Sequence, residues 1–193
     1  MSRTMTSIDE AARERPATSD AAADVLRGHI RDIQDWPQPG VVFKDITPLL
    51  ATPAAFGVVI GALADIARQR GATTIAGIEA RGFLLAAPVA DRLGAGLVPI
   101  RKKGKLPGPT RSATYDLEYG TATIEIHADA VRPGERVLLV DDVLATGGTA
   151  AAAHGLLAGC GAEVLGLAVL MELSFLPGRE RTAPLDVVPL LTI

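Results

Sequence analysis

Residues 137–149 read VLLVDDVLATGGT, and this order decides the fold. Val137, Leu138, Leu139 and Val140 form an unbroken apolar run. Such a run, lying between helices, predicts a strand of a mostly parallel sheet covered on both faces. Two carboxylates follow, Asp141 and Asp142, and then the loop Ala145, Thr146, Gly147, Gly148 and Thr149, which opens an Ala-rich helix over 149–157. In an open α/β sheet, ligands sit at the carboxyl ends of the strands. All the polar groups of the segment are delivered to such an end.

The two halves of the segment suit different parts of one ligand. Gly147 and Gly148 lack a Cβ, so the backbone can wrap closely round an anion. Free N–H groups at the start of the next helix favour that anion, and Thr146 and Thr149 add hydroxyl donors. The acids would repel a phosphate but suit neutral hydroxyls beside it, such as the 2′ and 3′ hydroxyls of a ribose. The segment therefore reads as a ribose 5-phosphate site. The plain alternative is an Asp-capped glycine turn with no ligand. No GK[ST] follows, and there is no GxGxxG, so neither a Walker A loop nor a dinucleotide fold is indicated.

Outward from this segment the chain alternates. Helices are expected over 20–31, 53–70 and 83–93, and strands over 73–78, 97–100, 119–127 and 163–171. Residues 35–45 (DWPQPGVVFKD) read as a structured loop with a brief strand, and 102–114 as an exposed mobile loop rich in Lys, Gly and Pro. The expectation is an α/β fold: a mostly parallel central sheet with helices on both faces. A loose arm over 1–19 precedes one domain over 20–193.

Bulk properties exclude several classes. Of 193 residues, 48% are hydrophobic and 21% charged, which suits a globular chain. A net charge of -3 disfavours a nucleic-acid partner. Cys160 is the single cysteine, so neither an internal disulfide nor a CxxC metal site is possible. His29, His127 and His154 lack metal-ligand spacing. The apolar runs are too short to span a bilayer, and no signal-peptide core begins the chain. A soluble cytoplasmic protein without a membrane partner is expected.

The 137–149 segment resembles the 5-phosphoribosyl-1-pyrophosphate (PRPP) motif of the type I phosphoribosyltransferases. Residues 36–47 (WPQPGVVFKDIT), 77–83 (GIEARGF), 99–107 (PIRKKGKLP) and 115–120 (YDLEYG) resemble the adenine members of that family. The resemblance spans about residues 27–173.

It implies a small N-terminal hood around 27–50, a mobile catalytic loop over 101–118, and purine salvage: adenine and PRPP giving AMP and pyrophosphate. It implies that Glu118 is the catalytic acid/base near adenine N7. Asp141, Asp142, Ala145, Thr146, Gly147, Gly148 and Thr149 would bind the ribose and its 5-phosphate. Arg81, Arg101, Lys102, Lys105 and Tyr119 would bind pyrophosphate, with part of this set donated across a homodimer interface. Adenine would be read near Val42, Phe43 and Arg81, with Lys44 reaching phosphate or a neighbouring subunit. Mg²⁺ would be held through PRPP, with no direct protein ligand. A non-proline cis peptide is implied next to Ala80. The alternatives are a 6-oxo purine as substrate, or a PRPP-sensing regulator of the same fold. Two features depart from the family pattern: the first ~20 residues, which match no family segment, and Ala86–Ala87, where a glycine is usual.

Overall fold

The computed structural model describes residues 17–116 and 120–193. Most of the expected arm, together with Glu118 and Tyr119, lies outside the described residues. Helix α1 runs Ala17–His29, strand β1 Arg31–Ile33 and strand β2 Phe43–Asp45; α2 is Thr47–Leu50 and α3 Pro53–Gln69. Then come β3 (Thr74–Ile78), α4 (Arg81–Leu93), β4 (Gly96–Lys102), β5 (Thr110–Asp116) and β6 (Thr121–His127). The chain ends with β7 (Arg136–Leu144), α5 (Gly148–Gly159), β8 (Glu163–Glu172), α6 (Gly178–Thr182) and β9 (Val187–Thr192).

Seven strands form one sheet in the order β5-β6-β4-β3-β7-β8-β9. The five strands from β4 to β9 are parallel, and β5–β6 is an antiparallel hairpin on one edge. This is the expected α/β architecture. The uniform hydrophobicity of residues 137–140 in β7 has a direct cause. Leu138 and Val140 pack into a core with α1, α3 and α4, whereas Val137 and Leu139 pack into a second core with α5. All four are fully buried.

Several boundaries differ from the sequence reading, three of them with a clear physical reason. Helix α1 begins at Ala17, three residues before the expected start at Asp20, and the Asp20 charge in its first turn complements the helix dipole. Strand β7 continues through both aspartates to Leu144, paired with β8 as far as Glu172. Half of the expected loop over 102–114 is strand, because Thr110–Asp116 pairs along its whole length with β6. Alternating Thr, Ser and Ala residues suit such an edge, and Thr114 Oγ1 meets Thr123 Oγ1 at 2.9 Å across the hairpin.

A separate two-stranded sheet, β1–β2, lies where the hood is expected. Lys44 Nζ donates to Asp32 at 2.8 and 2.9 Å, an ion pair within the hood. Arg31 Nη2 donates to Asp45 Oδ2 at 2.6 Å. Hydrogen bonds from Thr47, backbone first, and then Arg31 hold the Asp45 carboxyl below the usual range despite its burial.

Candidate active site

A cleft of about 230 Å³ opens at the carboxyl ends of β3 and β7, lined by Glu79, Arg81, Asp141, Asp142 and the loop residues 145–149. Its floor is the cradle. Gly147 sits at φ +80° as the cap of α5, a conformation that favours glycine. A Cβ on Gly147 would lie 2.5 Å from the Gly178 carbonyl oxygen. Gly178 is equally confined, since its own Cβ would meet the Ala145 carbonyl oxygen and lie 2.9 Å from Leu144 Cγ. Thus α6 forms the back wall of the cradle. It is tied to the sheet by Arg179, whose Nε and Nη2 donate to the two oxygens of Glu172 at 2.8 and 2.6 Å. Thr149 Oγ1 donates to Tyr115 Oη at 2.9 Å, joining the cradle to the edge hairpin.

The two acids lie above this floor. Burial, followed by the neighbouring Asp142 charge, pushes the Asp141 carboxyl well above the usual carboxylate range. Burial also raises Asp142, although the Arg81 charge opposes it. Arg81 Nη2 lies 2.9 Å from Asp142 Oδ2 but off the hydrogen-bond direction. That buried oxygen therefore makes no hydrogen bond among the described residues. The Asp142 carboxylate thus keeps hydrogen-bonding capacity beside Arg81 in the lining of the cleft.

Arg81 begins α4 and reaches three ways. Besides Asp142, it donates from Nη1 to the Lys44 carbonyl at 3.3 Å, and its guanidinium carbon lies 4.8 Å from the Phe43 ring centroid. Phe43 in turn meets Trp36 edge-on, with ring centroids 4.4 Å apart. Val42 is exposed beside them. The hood is thereby fastened over the carboxylate pair.

This arrangement of strand, acid pair and cradle has known counterparts. A phosphoribosyl transferase domain matches residues 45–187. The adenine phosphoribosyltransferase of Frankia alni is 92% identical over 189 residues, covering 98% of this chain and all of that one. The chain belongs to the adenine phosphoribosyltransferase family. A Rhodothermus marinus member of known structure is 48% identical, with a TM-score of 0.84 over 90% of this chain and 99% of that one. A Saccharomyces cerevisiae member, solved with an imino-altritol bisphosphate and adenine, is 38% identical, with a TM-score of 0.85 over 89% and 99%. The Frankia alignment also corrects the view of the first ~20 residues: it leaves four residues of 193 unmatched, so most of that segment has a counterpart.

The basic cluster is placed less simply than its sequence suggests. Arg101 and Lys105 lie beside Glu79, Arg101 Nε at 3.5 Å from Oε2 and Lys105 Nζ in contact with Oε1. Lys102 contributes its backbone N–H to Glu79 Oε2 at 2.8 Å, while its side chain is exposed. Burial raises the Glu79 carboxyl, but these bonds and the charges of Lys105 and Arg101 hold it below the usual range. The peptide between Glu79 and Ala80 is cis, at the position the resemblance implies. Beneath the cluster, Glu125 Oε1 accepts the backbone N–H groups of Gly104, Lys105 and Leu106 at 3.0, 3.1 and 3.1 Å.

Glu79, Glu125, Tyr115 and the Glu172–Arg179 pair have roles in the site that the sequence does not signal. Their partners are 19–34 residues distant, except for Arg179, and no local spacing marks them. Among the described residues no group of three or more His, Cys, Asp or Glu side chains could hold a metal ion, and no helix is long and apolar enough to cross a membrane.

Proposed function

We propose that this chain transfers the 5-phosphoribosyl group from PRPP to adenine in purine salvage, releasing AMP and pyrophosphate. One observation carries the reading: Arg81 joins the hood, through Phe43 and the Lys44 carbonyl, to the acid pair that stands over the cradle. Base, ribose and phosphate subsites thereby meet in one cleft.

Each residue then has a part. The N–H groups and hydroxyls of 145–149 hold the 5-phosphate. Asp141 and Asp142 orient the ribose hydroxyls and favour positive charge on the ring as C1′ is attacked. The bond from adenine N9 to C1′ forms as the bond from C1′ to the pyrophosphate oxygen breaks, and the N9 proton leaves the base. Glu118 manages the base proton, and Tyr119 takes part in binding pyrophosphate, the roles that the family resemblance implies. Arg81, Arg101, Lys102 and Lys105 take the departing pyrophosphate. Val42 and Phe43 border adenine, whose 6-amino group donates to a main-chain carbonyl; a 6-oxo purine would leave that acceptor unpaired.

The chemistry Mg²⁺ supplies when bound is neutralisation of the leaving group. The ion would be held through PRPP oxygens and water, with no direct protein ligand. A cytoplasmic homodimer completes the reading.

The test is a competition assay with PRPP and Mg²⁺ and equal adenine, hypoxanthine and guanine. AMP should form alone. Unchanged adenine would sink the reading, and IMP or GMP formation would reassign the substrate to a 6-oxo purine.

A further inference from the structure

Glu79 is a carboxylate placed where an anion is to be bound. It lines the cleft with Arg81, and its side chain is only 9% exposed. It occupies Lys105 Nζ, stands 3.5 Å from Arg101 Nε, and accepts the Lys102 N–H. Its own N–H donates to the Ile100 carbonyl at 2.9 Å, which fixes its backbone to β4. The Lys105 side chain is 48% exposed and that of Arg101 33%, so the cations are open to solvent while the acid that pairs with them is nearly buried at the edge of the cleft.

We propose that Glu79 is an internal counter-anion of the pyrophosphate subsite, holding Arg101 and Lys105 when pyrophosphate is absent and weakening its binding so that the product leaves. The inference rests on the reading that these cations take pyrophosphate. A multiply charged anion can claim their full charge only by displacing Glu79 or by lying against it. Either way the carboxylate subtracts from affinity, and it recaptures the cations as the anion departs. A purely structural Glu79, present only to hold the 101–105 segment, has the opposite consequence: without it, the cations would be misplaced and pyrophosphate would bind more weakly.

The experiment is an equilibrium titration of Mg²⁺-pyrophosphate into the full chain, with ribose 5-phosphate present to fill the cradle and ionic strength held constant. Glu79→Gln should bind pyrophosphate about tenfold more tightly than the unaltered chain, and product inhibition of AMP synthesis should set in at correspondingly lower pyrophosphate. Adding Lys105→Gln to that variant should erase the gain. Glu79→Asp, which shortens the carboxylate's reach to Lys105, should give a smaller gain and serves if Glu79→Gln does not fold. Unchanged or weaker binding in either folded variant overturns the proposal. If the unaltered chain neither forms AMP nor binds pyrophosphate, the functional reading itself fails; if it does both, only the role of Glu79 is at stake.

Discussion

The guanidinium of Arg81 stacks on the ring of Phe43, its central carbon 4.8 Å from the ring centroid. The same side chain stands 2.9 Å from Asp142, so one planar cation spans the hood and the acid pair. Lysine keeps the charge but neither the flat face nor the fork. Arg81→Lys should therefore loosen the hood, raising KM for adenine roughly tenfold while raising KM for PRPP less. Steady-state kinetics with each substrate varied in turn measures the split. Equal effects on both would mean that Arg81 does not link the base to the ribose.

The acid pair carries a pH signature. Asp141 has its carboxyl raised in the folded state, chiefly by burial and then by the Asp142 charge. A carboxyl raised on folding binds its proton more tightly in the native chain. It supports stability below its unfolded pKa, and that support is lost as pH rises through the folded value. Asp141→Asn removes the cost of the buried charge and retains an oxygen to accept the Asp142 N–H, now at 2.9 Å. The variant should melt a few °C higher than the unaltered chain at pH 7, with the gain shrinking as pH falls toward 4, while AMP synthesis drops. Thermal melts across pH check the first part, and a turnover assay checks the second.

How much of this was legible in the sequence follows from where each partner lies. The apolar run of β7, its two acids and the cradle are contiguous, so one reading found strand, charge and anion site together. Arg81 was legible as an anion ligand but not as a link, because Phe43 and Asp142 lie 38 and 61 positions away. The stretch 102–114 read as loop because Lys, Gly and Pro dominate its first half. The β-branched and small residues of β5 find their partner only when β6 returns beside them. Glu79 and Glu125 carry no local signal, since single acids among apolar residues acquire meaning only from backbone donors about 20 residues distant.

The back wall of the cradle predicts a loss specific to phosphate. Gly147→Ala would strain a φ of +80° and drive its Cβ to 2.5 Å from the Gly178 carbonyl oxygen. The loop must shift, at a cost of about 1–3 kcal/mol in stability. Affinity for AMP should fall on the order of a hundredfold while affinity for adenosine changes little, because only AMP places a phosphate in the loop. Titrations with both ligands decide it. A parallel loss for adenosine would place the damage elsewhere in the cleft.

Glu125 gives the most separable prediction. It is 4% exposed, and one of its oxygens collects three consecutive backbone N–H groups at the turn that carries Lys105. Glu125→Ala orphans all three donors; water can reach this turn, so the stability cost should be about 2–3 kcal/mol and not the full sum for buried groups. Glu125→Gln keeps an acceptor oxygen and should lose only about 1 kcal/mol, since the bonds lose their charge assistance. If the turn positions Lys105, turnover should fall in the same order, Ala more than Gln, with KM for adenine nearly unchanged. Denaturant melts and initial rates on the two variants test both halves. A destabilised Glu125→Ala chain with unaltered turnover would separate the turn from the reaction.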